Sequence, residues 1–147
     1  MKTGKEVKTS NFKDYNVVFG SVNNKNPKAV YVNLSAWAEP KHELDINYSR
    51  VIRNINKKVK QELYLLINND KTSNFIKERT IVDFDIRKSG IRFGKRSFMS
   101  CEITLFSEIE IPVNSEYMKN VLTDVSNHLI QKVFEHNDTF SFYKKKK

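Results

Sequence analysis

The residue types best suited to binding a polyanion are concentrated in residues 87–98. This segment holds five basic and two phenylalanine side chains, namely Arg87, Lys88, Arg92, Lys95 and Arg96 with Phe93 and Phe98. Basic side chains neutralise phosphates and aromatic rings stack on bases, so the composition is typical of nucleic-acid contact. A solvated hairpin whose phenylalanines fold back onto the core has the same composition, and both interpretations stay open.

A second basic group lies on a predicted helix that ends near Asn68. Apolar residues recur there every four positions, at Val51, Ile55, Val59, Leu63 and Ile67. This spacing predicts an amphipathic helix, with Asp45 or Asn47 as its N-cap. The remaining surface carries the cations Arg50, Arg53, Lys57, Lys58 and Lys60, with no acid before Glu62. We interpret this positive face as a candidate binding surface for an anionic partner.

Acidic side chains follow the basic segment along the chain. A predicted strand at residues 96–111 places Glu102, Phe106, Glu108 and Glu110 on one face, and residues 97–118 contain no Lys or Arg. A hairpin that is basic at one end and acidic at the other suits head-to-tail contact between copies of the chain. We therefore predict these four residues as subunit contacts.

Groups that could catalyse a reaction do not converge in the sequence. Asp83 and Asp85 share one face of a predicted strand, but acids at every second strand position usually form its solvated side. The three histidines, His42, His128 and His136, fall on separate segments and are interpreted as surface residues. No glycine-rich phosphate loop is present in the sequence. We expect no catalytic residue, no metal and no cofactor.

The surrounding elements predict an α+β fold. The predicted strands are residues 15–22, 29–37, 80–87 and 96–111, with a short strand at 139–143, and a second helix runs to about residue 137. The apolar stripe of that helix is Met118, Val121, Leu122, Val125, Leu129 and Val133. An antiparallel sheet with two amphipathic helices on one face, in ββα-ββα order, buries all of these apolar stripes.

The strand at residues 96–111 is too long for an ordinary sheet, because about fifteen residues at 3.3 Å each span roughly 50 Å. We predict that residues 80–93 pair with residues 96–111 as a long projecting β-hairpin. Gly90 or Gly94 would supply its turn, and its far end would form an arm.

Length and composition fit one domain. The 147 residues are 39% hydrophobic and carry a net charge of +9. We predict an N-terminal arm at residues 1–13, a single α+β domain at 14–143 and a basic tail at 144–147. Cys101 is the only cysteine, which excludes an intramolecular disulfide. Without a signal peptide or an apolar run near the roughly 20 residues of a membrane span, we expect neither secretion nor membrane insertion.

The order of a helix, a long hairpin, a second helix and a closing strand resembles the ring-forming head-to-tail connector and tail-terminator proteins of tailed phages. The residues that carry the resemblance are the helix 48–68, the hairpin 80–111, the segments 102–106 and 111–115 and the helix up to Phe134. It implies a non-enzymatic virion ring whose basic lumen tolerates passing DNA. Its partners would be copies of itself and neighbouring virion subunits, in the virion or the host cytoplasm.

Two functional hypotheses follow. The first is an oligomeric structural protein, a phage connector or ring subunit that assembles through its hairpin arm. The alternative is a nucleic-acid-binding protein that uses Arg50, Arg53, Lys57 and Lys58 together with the hairpin tip and the lysine tail. Charge alone does not choose between them, since acidic protein surfaces and nucleic acids both attract a basic chain.

Overall fold

The computed structural model describes residues 6–9, 15–21, 28–42, 45–67, 74–88, 96–110 and 116–142. Within these residues the elements are β1 (Glu6–Thr9), β2 (Asn16–Ser21), β3 (Ala29–Pro40), α1 (Tyr48–Ile67), β4 (Ile81–Lys88), β5 (Ser97–Phe106), α2 (Glu116–Leu129) and β6 (Phe140–Ser141). A 3₁₀ turn, Lys77–Arg79, precedes β4, and a π turn, Ile130–Phe134, follows α2. The predicted α+β class is confirmed.

The strands form one antiparallel sheet in the order β1-β2-β3-β5-β4. The central ladder joins β3 to β5 from the pair Ala29 and Phe106 to the pair Ala38 and Ser97. On the other side of β5, β4 pairs over its whole length, so β5 is bonded along both edges. The short β6 extends the sheet at the far end of β3.

The described part of the β4–β5 hairpin does not project. The prediction that these strands pair with each other is correct. However, β5 also pairs with β3, so it lies inside the sheet with a neighbouring strand on each edge. Ser97, at the turn end of β5, is fully buried. The strand ends at Phe106 rather than at residue 111, and Ser107 forms an isolated bridge with Phe75. The predicted turn, with Gly90 and Gly94, and the segment 111–115 lie outside the described residues.

The N-terminal strand β1 was not predicted. It pairs with β2 from Glu6 and Gly20 to Thr9 and Val17, inside the segment 1–13 that we expected to be an arm without secondary structure. The order along the chain is therefore βββα-ββα followed by β6, not ββα-ββα. The polar composition of β1 gave no signal, because an edge strand needs little apolar surface. The lysine tail at 144–147 lies outside the described residues.

Helix α1 begins and packs as predicted. The backbone N–H of Arg50 donates to Oδ1 of Asn47 (3.1 Å), which makes Asn47 the N-cap. The stripe of residues spaced by four is buried against the sheet, namely Ile55, Val59, Leu63 and Ile67. Further along α1, Oδ1 of Asn56 accepts a hydrogen bond from the backbone N–H of Phe84 (3.0 Å). This bond covers part of the free edge of β4.

Helix α2 continues directly into the π turn. The backbone N–H of Glu135 donates to the carbonyl of Ile130, five residues earlier (2.8 Å). The wider turn lets both Val133 and Phe134 face the core. In α2, Nε2 of His128 lies 2.7 Å from Oε1 of Glu62 in α1, and both side chains are partly buried. The interpretation of His128 as a surface residue is therefore wrong, because it joins the helices.

The C-terminal residues complete the core with a group of aromatic rings. Phe140 and Phe142 are fully buried. The ring of Phe142 lies 5.5 Å from that of Phe134 and 5.8 Å from that of Phe140, measured between centroids. Phe84 of β4 stacks on Phe134 at 6.0 Å. The segment after the π turn therefore fills space between the sheet and the helices.

The only cysteine is protected from reagents by the fold. Cys101 lies on the helix side of β5 with no exposed surface. Burial raises the pKa of its thiol far above the usual range, and the nearby carboxylates of Asp83 and Glu102 raise it further. The reactive thiolate is therefore almost absent at ordinary pH.

We expect native protein at pH 8 to react with a chromogenic disulfide reagent only as fast as it unfolds. Protein in concentrated guanidinium should react at once with one equivalent, and it serves as the control because no other thiol is present. Rapid labelling of the native protein would mean that Cys101 is exposed.

Candidate functional site

The side of the sheet away from the helices is the first candidate surface, and we call it the outer face. Cross-strand register places its residues in rows. Each row contains one residue of β4, one of β5 and one of β3, in that order. Starting at the end of β4 that is nearest the turn, the rows are Arg87, Phe98 and Trp37; Asp85, Ser100 and Ser35; Asp83, Glu102 and Asn33; and Ile81, Thr104 and Tyr31. Apolar and aromatic residues thus lie at both ends of an acidic middle.

The β4–β5 half of the outer face is the open half. Phe98 is 42% exposed and Ile81 is 53% exposed, although both are large apolar residues. The rings of Trp37 and Phe98 pack edge to face, with centroids 5.3 Å apart. Tyr31 and Ser35, towards β2, are buried. An exposed apolar area bordered by polar groups is typical of a binding surface.

The acidic middle of the outer face brings like charges together. Asp83 and Glu102 are directly opposite each other across β4 and β5, an arrangement that is unfavourable without a cation nearby. Nδ2 of Asn33 donates to Oε1 of Glu102 (3.3 Å). Asp85 is bound by its neighbour on the strand, since Nε of Arg87 lies 2.7 Å from its Oδ2. Among the described residues no ion pair reaches Asp83, so its carboxylate is open to a partner.

The outer face already binds guanidinium groups from its own chain in two ways. One is the ion pair of Arg87 with Asp85. The other is a cation–π contact, in which the guanidinium carbon of Arg79 lies 4.3 Å from the centre of the Phe106 ring. Carboxylates and aromatic rings on this face are therefore both accessible to arginine.

The second candidate surface is the exposed side of α1. Helix positions separated by three, seven and ten residues fall within about a quarter of the circumference. Arg50, Arg53, Lys57 and Lys60 have this spacing and are all exposed, and we call them the basic stripe. Within the described part of the chain none of the four has an ion-pair partner. The centre of the stripe lies about 120° around the helix axis from the centre of the buried side, so the stripe occupies an exposed flank of α1.

The predicted contact residues lie partly on the outer face and partly on the exposed side of α1. Phe98, Glu102 and Phe106 lie together on the outer face, whereas Arg50, Arg53, Lys57 and Lys58 are exposed on α1. Phe98 packs on Trp37 in the sheet, so its prediction as part of an arm tip is wrong. The remaining described residues lie at strand ends, namely Arg87 and Lys88 at the end of β4, Arg96 before β5, and Glu108 and Glu110 after it. Arg92, Phe93 and Lys95 lie outside the described residues.

Three outer-face residues were missed as contacts. Trp37, Ile81 and Arg79 were not selected from the sequence, because each is alone in its segment. Their neighbours come from other strands, and only the register of β3, β4 and β5 brings them together. A large exposed residue on the polar face of an alternating strand was the available signal.

The described residues show no catalytic constellation. No group of three or more His, Cys, Asp or Glu that could hold a metal ion occurs among them. A shallow cleft of about 330 Å³ lies at the start of α1, and it is lined by His42, Asp45, Ile46, Asn47, Arg50, Val51, Asp138 and Thr139. Its charged and histidine side chains, His42, Asp45, Arg50 and Asp138, are all exposed to water.

Comparison with known proteins gives no relative. No protein-family model, curated protein or solved structure matches the chain. Among the residues that the structure describes, no helix has the length and apolar character needed to cross a membrane.

Proposed function

We propose that the chain is a non-enzymatic structural subunit that assembles with copies of itself through the outer face. The observation that carries this proposal is the uncovered β4–β5 half of the sheet, where Phe98, packed on the Trp37 ring, is 42% exposed at one end and Ile81 is 53% exposed at the other. Such residues gain free energy when a partner removes them from water.

The composition of the outer face supports a protein partner. Interfaces between proteins are enriched in aromatic residues and arginine, and the outer face has Trp37, Phe98 and Phe106 with Arg79 and Arg87 at its β4 side. The resemblance to ring-forming connector and tail-terminator proteins of tailed phages suggests one form of the assembly, a closed ring in a virion. Neighbouring virion subunits would then be its other partners.

Assembly through the outer face predicts that small changes there lower the molar mass. We expect wild-type protein to form oligomers in size-exclusion chromatography with light scattering, and Phe98→Ser or Ile81→Ser to shift the population towards monomer. Leu65→Ser is the matched control, because Leu65 is a large apolar residue on the helix side that is even more exposed (64%) than Phe98 or Ile81. A wild-type protein that is monomeric at every concentration tested would refute the proposal.

One observation favours the alternative, a nucleic-acid-binding protein. The basic stripe of α1 is a row of exposed cations of the kind that contacts phosphates. A single-strand binder usually combines cations and aromatic rings on one surface. Here the exposed Phe98 ring and the partly buried Trp37 ring lie on the outer face with Asp83 and Glu102, so the described residues do not offer that combination.

A further inference from the structure

We propose that the basic stripe of α1 in one copy docks on the acidic middle of the outer face in the next copy. This inference rests on the proposed self-assembly and names its second surface. The stripe bears Arg50, Arg53, Lys57 and Lys60, all exposed and all positive at neutral pH. The outer face offers the carboxylates of Asp83, Asp85 and Glu102. The contact joins unlike surfaces, so it is heterologous.

Within the described part of one molecule no ion pair joins the two surfaces. The helices cover the inner face of the sheet, and the basic stripe lies on an exposed flank of α1. The carboxylates lie on the opposite side of the same sheet. Each copy therefore carries a basic surface on α1 and an acidic one on the outer face, and a second molecule can pair them.

Features of the outer face other than its negative charge also favour contact with Arg and Lys side chains. Arg87 on Asp85 and Arg79 on Phe106 are the ion-pair and cation–π contacts already present, and an incoming stripe would repeat the ion pair with Asp83. The aliphatic stems of Arg and Lys also cover apolar surface, so they would shield Phe98 and Ile81 from water.

The distance between neighbouring cations on the basic stripe is similar to the distance between neighbouring carboxylates on the outer face. Arg53 and Lys57 are separated by four helix positions, or about 6 Å along the axis. Asp83 and Asp85 are separated by two strand positions, or about 7 Å. A pair of cations and a pair of carboxylates can therefore meet in register. Repetition of the contact would build a ring if the rotation closes and a filament if it does not.

Complementary charge reversal tests this contact. The first variant carries Arg53→Glu and Lys57→Glu, and the second carries Asp83→Lys and Asp85→Lys. Each alone should associate about a hundredfold more weakly than wild type or worse, because like charges then face each other across the interface. A mixture of the two at equal concentration should recover oligomers, since every interface in an alternating assembly is again complementary. Sedimentation velocity at low salt gives the masses.

The matched control reverses one exposed cation on α2 and one on the π turn, Lys119→Glu with Lys132→Glu, and should keep the wild-type mass. Circular dichroism of every variant establishes that it is folded. If wild type forms oligomers and either reversed variant keeps them, or the mixture fails to recover them, the docking is wrong while self-assembly stands. If the first variant instead loses oligonucleotide binding that the second variant keeps, the stripe binds nucleic acid. A monomeric wild type would overturn both proposals.

Discussion

Replacing Phe142 by alanine is expected to lower the free energy of unfolding by about 3 to 5 kcal/mol. Phe142 has no exposed surface and its ring touches those of Phe84, Phe134 and Phe140. Removing it leaves a cavity between β4, the π turn and β6 that these neighbours cannot all fill. Since a domain of this size is stable by only about 5 to 15 kcal/mol, the variant should be close to unfolding at 37 °C.

The control for this change is Phe98→Ala, which removes the same side chain from the outer face. Phe98 is 42% exposed and contacts Trp37, so its loss should cost about 1 kcal/mol. Urea unfolding followed by far-ultraviolet circular dichroism measures both variants. Equal losses would mean that the C-terminal rings are not part of the core.

The second large effect is expected from two leucines that are two positions apart on α1 and lie on nearly opposite sides of the helix. Leu63→Ala should cost about 2 to 5 kcal/mol, because Leu63 is fully buried against the sheet. Leu65→Ala should change stability by about 0.5 kcal/mol or less, because Leu65 is 64% exposed. Residue type, helix and helix propensity are identical in the two variants, so burial alone separates them.

Thermal and urea unfolding of both leucine variants give the comparison directly. Similar losses for Leu63 and Leu65 would show that α1 is rotated about its axis, and the basic stripe would then no longer point into solvent. The pair therefore also tests the placement of Arg53 and Lys57.

Sequence patterns predicted the elements that alternate clearly between apolar and polar residues. The spacing of four in α1 gave its buried side, and short polar side chains before the apolar stripe left Asp45 or Asn47 as its cap, of which the structure shows Asn47. The inner faces of β3, β4 and β5 followed from residues such as Leu34, Phe84 and Ile103, which alternate with polar neighbours. These patterns involve residues that are close together in the sequence, so they can be recognised in a single sequence.

The arrangement of the strands could not be predicted in the same way. Placing β5 between β3 and β4 depends on pairing between distant segments, for which a single sequence gives no register. The candidate site was the hardest part to predict, because Trp37, Phe98 and Asp83 come from three strands and are brought to one face only by that register. The prediction of a projecting arm failed for this reason, since the long strand has a partner that local pattern does not reveal.

The ladder between β3 and β5 determines the order in which the chain can fold. It pairs Ala29 with Phe106, so the whole of α1 and β4 must be looped between its ends. Closing such a loop costs chain entropy before the contacts form, whereas the neighbours β2 and β3, like β4 and β5, can meet early. The encounter of these two preformed halves is therefore the slow step. Refolding should take on the order of milliseconds to seconds, as in other proteins rich in distant contacts.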